Sequence, residues 1–306
     1  MNYARSDNSS MSINNVDLKL LRVFKCVVDS GGLTSASHEL NIGLAAISKQ
    51  LSDLEIRLGM TLCSRGREGF ELTEYGVTVY QATLELFASL NNFRERLHNS
   101  RNEVLGDLNI SVVDNTISDS QSPVTKAVQQ LHNAAPKVNI RLQTAHLDDI
   151  EKGLNEERFN CAIAPVYDKK SEFDYYSIYT ETSHLYCSNQ HPLFSQENTS
   201  ISLEILKNQK IINHTYVTHR HNNKLFAFSS SKIQAVQVEA VAMLILTGHF
   251  IGYLPAHYAE HYVQEKKMRA IGPDELQVKT PFCLIIKKGR KINQLITLFM
   301  DALGIG

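Results

Sequence analysis

The chain carries almost no net charge: 31 Lys and Arg stand against 32 Asp and Glu over 306 residues. No global positive field draws it onto nucleic acid or anionic membrane, so any nucleic-acid binding has to come from local placement. A disulfide framework is missing too. The five cysteines, Cys26, Cys63, Cys161, Cys187 and Cys283, are odd in number, widely spread and without a C-x-x-C pair, which argues against stapled loops or a zinc site. A reducing compartment follows. No apolar run approaches the ~18 residues of a membrane span, and the first sixteen residues are polar, unlike a signal peptide. The expectation is a cytoplasmic chain with no membrane partner. G-x-G-x-x-G after a strand, G-x-x-x-x-G-K-[ST], G-x-S-x-G and H-E-x-x-H are all absent, as are internal repeats. Nothing suggests an enzyme, and no cofactor is expected.

What is present fits two to three domains. Residues 1–15 read as a flexible tail. From Val16, apolar residues recur at three and four positions through Leu18, Leu21, Phe24 and Val28 and stop at Gly31-Gly32, as in a helix with a glycine exit. Leu33 to Leu40 reads as a short helix that Thr34 caps, and Asn41-Ile42-Gly43 turns into a second helix from Leu44 to Leu58. Ile47, Leu51, Leu54 and Leu58 form its buried stripe, opposite Ser48, Lys49, Ser52 and Asp53. Leu62 to Leu72 reads as a wing hairpin carrying Arg65 and Arg67. Thr73 caps a helix to about Arg101, with Val77, Tyr80, Leu84, Phe87, Leu90 and Leu97 on one side. That length, without neighbouring sequence to bury the stripe, predicts a linker that pairs with a second copy of itself.

In a helix-turn-helix the second helix enters the major groove and the first crosses the backbone. Thr34 and Ser35 are placed to meet a phosphate, Ser48, Lys49 and Ser52 to reach base edges or phosphates, and Arg65 and Arg67 to touch flanking phosphates. Each taken singly also fits plain solvated surface. Together, the run T-S-A-S-x-x-L-N-I-x-x-x-A-I-S-K-Q-L-x-x-L-E-x-x-L-G from Thr34 to Gly59 and L-C-S-R-G-R-x-G-F-x-L-T-x-x-G from Leu62 to Gly76 resemble the LysR-type transcriptional regulators. Gly43 and Leu44 depart from the Ser and Gln usual there; Leu44 and Ala45 suit contact with thymine methyls instead.

After Gly106 strands and helices alternate, which predicts a largely parallel sheet wrapped by helices. The strands expected are Leu108–Val113, Val138–Gln143, Cys161–Ala164, His184–Cys187, Phe250–Tyr253 and Phe282–Ile286. Gly106-Asp107-Leu108, Ala135-Pro136, His191-Pro192-Leu193 and Gly252-Tyr253-Leu254-Pro255 resemble the family's effector domain. The resemblance implies a periplasmic-binding-protein-like fold: lobe one about 106–165 and 272–306, lobe two about 166–271, and a small effector of unknown identity between them. The fold class is α/β throughout: a winged helix-turn-helix (16–73), a linker and dimerisation helix (74–105), and this two-lobed domain (106–306). It also implies homotetramers on a pseudo-palindromic promoter site; a dimer is the simpler alternative.

Ligands of open α/β sheets sit beyond the carboxyl ends of strands. That picks out Asp114, Asn115 and Thr116, then Thr144 and His146, then Pro165, then His214 and Thr215. Ordinary turn and capping roles fit the threonines equally well. A carboxylate at Asp114 facing the cleft suits an amine or hydroxyl; facing away, it leaves helix ends that favour a carboxylate. His257 and His261 stand at metal-ligand spacing, but no third ligand is near in sequence, so no metal site is assigned. A thiol sensor at Cys161 or Cys187 is the minor alternative.

Overall fold

The first helix begins where the sequence supplies a reciprocal cap. Asn14 Oδ1 accepts from the amides of Val16 and Asp17, and the Asp17 carboxylate accepts from the Asn14 amide. The computed structural model describes residues 14–66, 69–99, 104–214 and 233–305, and the chain divides into two units, residues 1–94 and 95–306.

In the first unit α1 (Asn15–Asp29), α2 (Leu33–Leu40) and α3 (Leu44–Leu58) surround one core. Phe24, Val27, Ala36, Ile47, Leu51 and Leu54 are completely buried there. The turn between α2 and α3 depends on Asn41 in the left-handed region at φ 53°, where Asn is tolerated. Ser37 Oγ donates to Ile42 O at 2.7 Å and closes that turn. One expectation fails: Thr34 does not cap α2. The glycine pair, Gly31 and Gly32 at φ 72° and 150°, turns the chain earlier, so Gly32 is the cap residue and Thr34 already lies in the first turn.

The wing is the antiparallel pair β1 (Cys63–Gly66) and β2 (Gly69–Leu72), with Cys63 opposite Leu72. Thr73 then starts α4 (Glu74–Asn99), its hydroxyl accepting from the Gly76 amide at 2.9 Å and donating to Thr61 O at 2.7 Å. A Cβ at Gly76 would fall 1.9 Å from Leu62 O, so only glycine lets this first turn lie against the wing strand. That contact sets the phase of α4. Tyr80, Thr83 and Leu84 face the core, while Val77, expected on the same stripe, is 48% exposed.

In the second unit β3 (Gly106–Val112), α5 (Val124–Ala134), β4 (Val138–Thr144), α6 (Leu147–Asn155) and β5 (Cys161–Pro165) form a parallel α/β start with β3 between β4 and β5. β6 (Phe173–Ser188) then runs for 16 residues. α7 (Leu203–Lys207), β7 (Asn213–His214), β8 (Gln234–Ala235), α8 (Val238–Leu246), β9 (Gly252–Pro255), α9 (Ala256–Gln264) and β10 (Met268–Ala270) follow, then β11 (Val278–Lys287) and α10 (Gln294–Leu303).

The sheet is not largely parallel. Its seven strands run β10-β6-β11-β5-β3-β4 with β9 also on β6, and every pairing made by β6, β9, β10 and β11 is antiparallel. The reason is that β6 and β11 are longer than expected and run alongside one another from Phe173 to Ser183, linking two core regions. The first gathers Leu108, Ile110, Phe173, Phe282, Leu284 and Phe299. Around the far end of β6 the side chains alternate, Leu185 and Cys187 into one cluster and Tyr186 into another, as a strand covered on both faces requires. The strand expected at Phe250–Tyr253 lies two residues later, since Ile251 makes an isolated bridge to Ile211 instead.

Candidate nucleic-acid interface and effector cleft

The exposed side of α3 is held by contacts at its other end. Arg57 donates to Asp17 on α1, and the guanidinium keeps the Asp17 carboxyl below its ordinary value. Glu55 Oε1 accepts from the amides of Leu62 and Cys63 at 2.8 and 3.3 Å, fastening α3 to the wing. Ser48, Lys49, Ser52 and Ala45 then lie on the side away from Ile47, Leu51 and Leu54, with Lys49 and Ala45 exposed, while Leu44, on the stripe's own side, is exposed at the first turn. Neither α2 nor α3 has a side-chain cap at its start. Their first-turn amides, with the exposed Thr34 and Ser35, are free of side-chain competition for a phosphate. Arg65 lies in β1 opposite Phe70. Arg67 lies outside the described residues.

In the second unit, the loop after β3 turns at Asn115, φ 60°, and puts Asp114 and Asn115 on a small cavity with Pro165 from β5. The opposite wall carries Val238, Tyr253 and Pro255, and its floor is Glu181 and Ser183 of β6 with Thr280 and Phe282 of β11. Its volume is about 40 Å³, room for a few waters at ~10–15 Å³ each. Thr144 and His146 line a different hollow of about 330 Å³, which Asp114 also borders. Across it Gln237 Nε2 comes within 3.4 Å of His146 Nε2. Thr116 lines neither; its carbonyl accepts from the Asp119 amide in the loop. His214 lies in β7, its backbone paired opposite Ala235 of β8, and Thr215 lies outside the described residues.

Of the residues expected at the effector site, Asp114, Asn115 and Pro165 line this cavity; Glu181, Ser183 and Thr280 line it too and are not expected, because the sequence assigns no strand to residues 173–183 or 278–281. Ser183 and Thr280 are buried polar residues of β6 and β11. His257 and His261 do not act as a pair: His261 Nδ1 lies 3.6 Å from Glu265, whereas His257 Nε2 lies 3.1 Å from Glu181 Oε2. The five cysteines are all buried. Burial pushes the Cys161 thiol up to about 12 and that of Cys187 to about 11, the reverse of a reactive sensor thiol.

A winged helix-turn-helix followed by a two-lobed α/β domain with a polar cleft defines a DNA-binding regulator with an effector domain. Two family models match: the bacterial regulatory helix-turn-helix protein, lysR family, over residues 18–77, and the LysR substrate binding domain over residues 101–304. The chain belongs to the LysR family of transcriptional regulators, not to an enzyme family. It is 32% identical to the HTH-type transcriptional activator BauR of Pseudomonas aeruginosa over 303 residues, 99% of each chain. It is 20% identical to the RuBisCO operon transcriptional regulator of Allochromatium vinosum, covering 94% of this chain and 95% of that one. Among solved structures it resembles a full-length OxyR variant from Pseudomonas aeruginosa, with TM-score 0.65, 14% identity and 94% of each chain covered. It also resembles full-length CbnR complexed with its target DNA, with TM-score 0.62, 16% identity, and 94% and 98% covered. At such identities the structural likeness establishes the fold.

Proposed function

We propose that this LysR-family regulator works in the cytoplasm as a dimer or tetramer, reads double-stranded promoter DNA through α3 and the wing, and answers to a small effector between its lobes. The observation that carries the DNA assignment is the division of α3 into a completely buried stripe, Ile47, Leu51 and Leu54, and an outer face with Ser48, Lys49 and Ser52. Thr34, Ser35, Leu44, Ala45, Arg65 and Arg67 complete the surface. The working domains are 1–15 as tail, 16–73 for DNA, 74–105 for linkage and self-association, and 106–306 for the effector, with β6 and β11 crossing between lobes. Exposed Val77 and Phe93 on α4, 48% and 59% accessible, suit pairing with a second copy. The CbnR–DNA complex supports the DNA reading by analogy.

The effector residues proposed are Asp114, Asn115, Thr116, Thr144, His146, Pro165, His214 and Thr215, joined now by Glu181, Ser183 and Thr280. Among the described residues lining the inner cavity there are two carboxylates and no Lys or Arg. That balance favours an effector that donates hydrogen bonds, an amine or polyol, over a plain carboxylate. A few waters' worth of room means the lobes open to admit it.

Titration of duplex DNA at rising salt tests the reading: a promoter-specific complex should outlast binding to random sequence. Lys49→Ala should weaken the promoter complex about tenfold, ~1.4 kcal/mol, with the oligomer unchanged by light scattering. Equal affinity for both DNAs, or no effect of Lys49→Ala, would overturn it.

A further inference from the structure

We propose that Asp119, Glu181 and His257 form a binding site for a divalent metal ion of the zinc type, pinning one lobe to the other. The three come from separate parts of the fold: Asp119 from the loop after β3, Glu181 from the crossing strand β6, and His257 from the first turn of α9. His257 Nε2 stands 3.1 Å from Glu181 Oε2 and 3.8 Å from Asp119 Oδ2, and all three ligand atoms lie within 4.8 Å of one another. A point equidistant from them is no more than about 2.4 Å from each, against ~2.0–2.2 Å for zinc bonds to imidazole and carboxylate. A few tenths of an ångström of side-chain movement would close the difference.

The orientation of the imidazole points the same way. Its Nδ1 is 2.9 Å from Ser118 Oγ, and that hydroxyl donates to Asn115 O at 3.4 Å. Ser118 therefore accepts from Nδ1–H, and Nε2 faces Glu181 Oε2 and Asp119 Oδ2, as an N–H donor to Glu181 without a metal and as a ligand once an ion displaces that proton. A hydrogen bond on the far nitrogen is how metal-binding histidines are fixed in tautomer and direction. The two carboxylates and Nε2 converge on one point, which a metal ion can occupy by displacing the Nε2 proton. Asp119 Oδ1 is engaged by the Gln121 amide at 2.9 Å, which leaves Oδ2 for the site. Among the described residues, His257 is the one basic group that ion-pairs with either carboxylate. Asp119 is 7% exposed as a residue, and the side chains of Glu181 and His257 are 14% and 12% exposed, so water screens the charges little.

The hydroxyl of Tyr179 supplies a further observation. Its oxygen is buried with no hydrogen-bond partner among the described residues. An O–H there suits hydrogen bonding to a water that completes the metal's shell. Nitrogen and oxygen ligands with no thiolate suit zinc or its neighbours better than a soft ion. Glu181 also floors the inner cavity, so an ion there would be felt by any solute in the cleft. The site stands whether or not the cleft takes an effector.

Full-length protein, stripped with a chelator, would be titrated with Zn²⁺ against a chromophoric competitor, and with Co²⁺ for its visible spectrum. One ion per chain at micromolar affinity or tighter, with cobalt bands lacking thiolate charge transfer, is expected. Asp119→Asn, Glu181→Gln and His257→Gln should each weaken binding at least about tenfold, while His261→Gln should not. Binding no tighter than about 0.1 mM, thiolate bands, or full affinity in all three variants would overturn the proposal. Circular dichroism checks each variant's fold; if one is lost, the wild-type stoichiometry and cobalt spectrum decide.

Discussion

The winged unit and the effector unit reach buried cores by different routes. In the first, most contacts that set α3 and the wing are short in sequence, Ser37 to Ile42, Glu55 to Leu62, Thr73 to Thr61 and Gly76, with Arg57 to Asp17 on α1 the longer reach. In the second, the cleft is floored by β6 and β11, whose register sets Phe282 opposite Tyr179 and Val278 opposite Ser183. A local scaffold fixes a rigid reading surface. Strands paired across distant parts of the chain place residues from both lobes around one point.

The largest break in this comparison should come from Phe282→Ala. Phe282 is 3% exposed, stacks on Tyr179 with centroids 4.8 Å apart at 18°, and sits at the register shift of β11. Its removal leaves a cavity where the crossing strands, β5 and the cleft floor meet. About 3–5 kcal/mol should be lost from the effector unit. Denaturant melts followed by near-UV circular dichroism should show that transition moving alone; a winged unit that melts with it would mean the two units do not unfold independently.

Gly76→Ala reverses the experiment on the local side. With a Cβ 1.9 Å from Leu62 O, the first turn of α4 must lift from the wing strand, at about 3 kcal/mol. Gly43→Ala in the same unit is the matched control, since nothing lies within 4 Å of a Cβ there and φ is −63°. It should change stability by less than about 0.5 kcal/mol. Equal effects of the two would show that the glycine's role is not the close approach.

The same contrast explains what can be read in the sequence. The helices around Leu33 to Leu58 and the start of α4 are legible because their stripe, the Asn41 turn and the Thr73 cap each lie within a few residues of what they control. Residues 173–183 are not, because Asp174 to Thr182 are all half-buried or exposed, with no clean alternation: a crossing strand is half-covered on both faces and shows no strict period of two. His257 misleads for a related reason. Spacing on a helix suggests His261, whereas its actual neighbours, Asp119 and Glu181, arrive from elements far away in sequence.

The smallest expected effect concerns Asp17, the carboxylate that ties α1 to α3. Its hydrogen bond and ion pair with Arg57, and the bond from the Asn14 amide, hold its folded pKa below the ordinary value of 3.8. A carboxylate lowered by folding adds stability that is fully present above its unfolded pKa and is lost as pH falls through the folded one. Wild-type protein should therefore be more stable than Asp17→Asn at pH 7, and the gap should close below about pH 4. The effect belongs to the winged unit, so thermal melts from pH 7 to pH 3 should show it in that transition and leave the effector transition equal in both proteins. A gap that persists unchanged to pH 3 would show that Asp17 acts through packing, and that charge contributes nothing to how α3 is held for DNA.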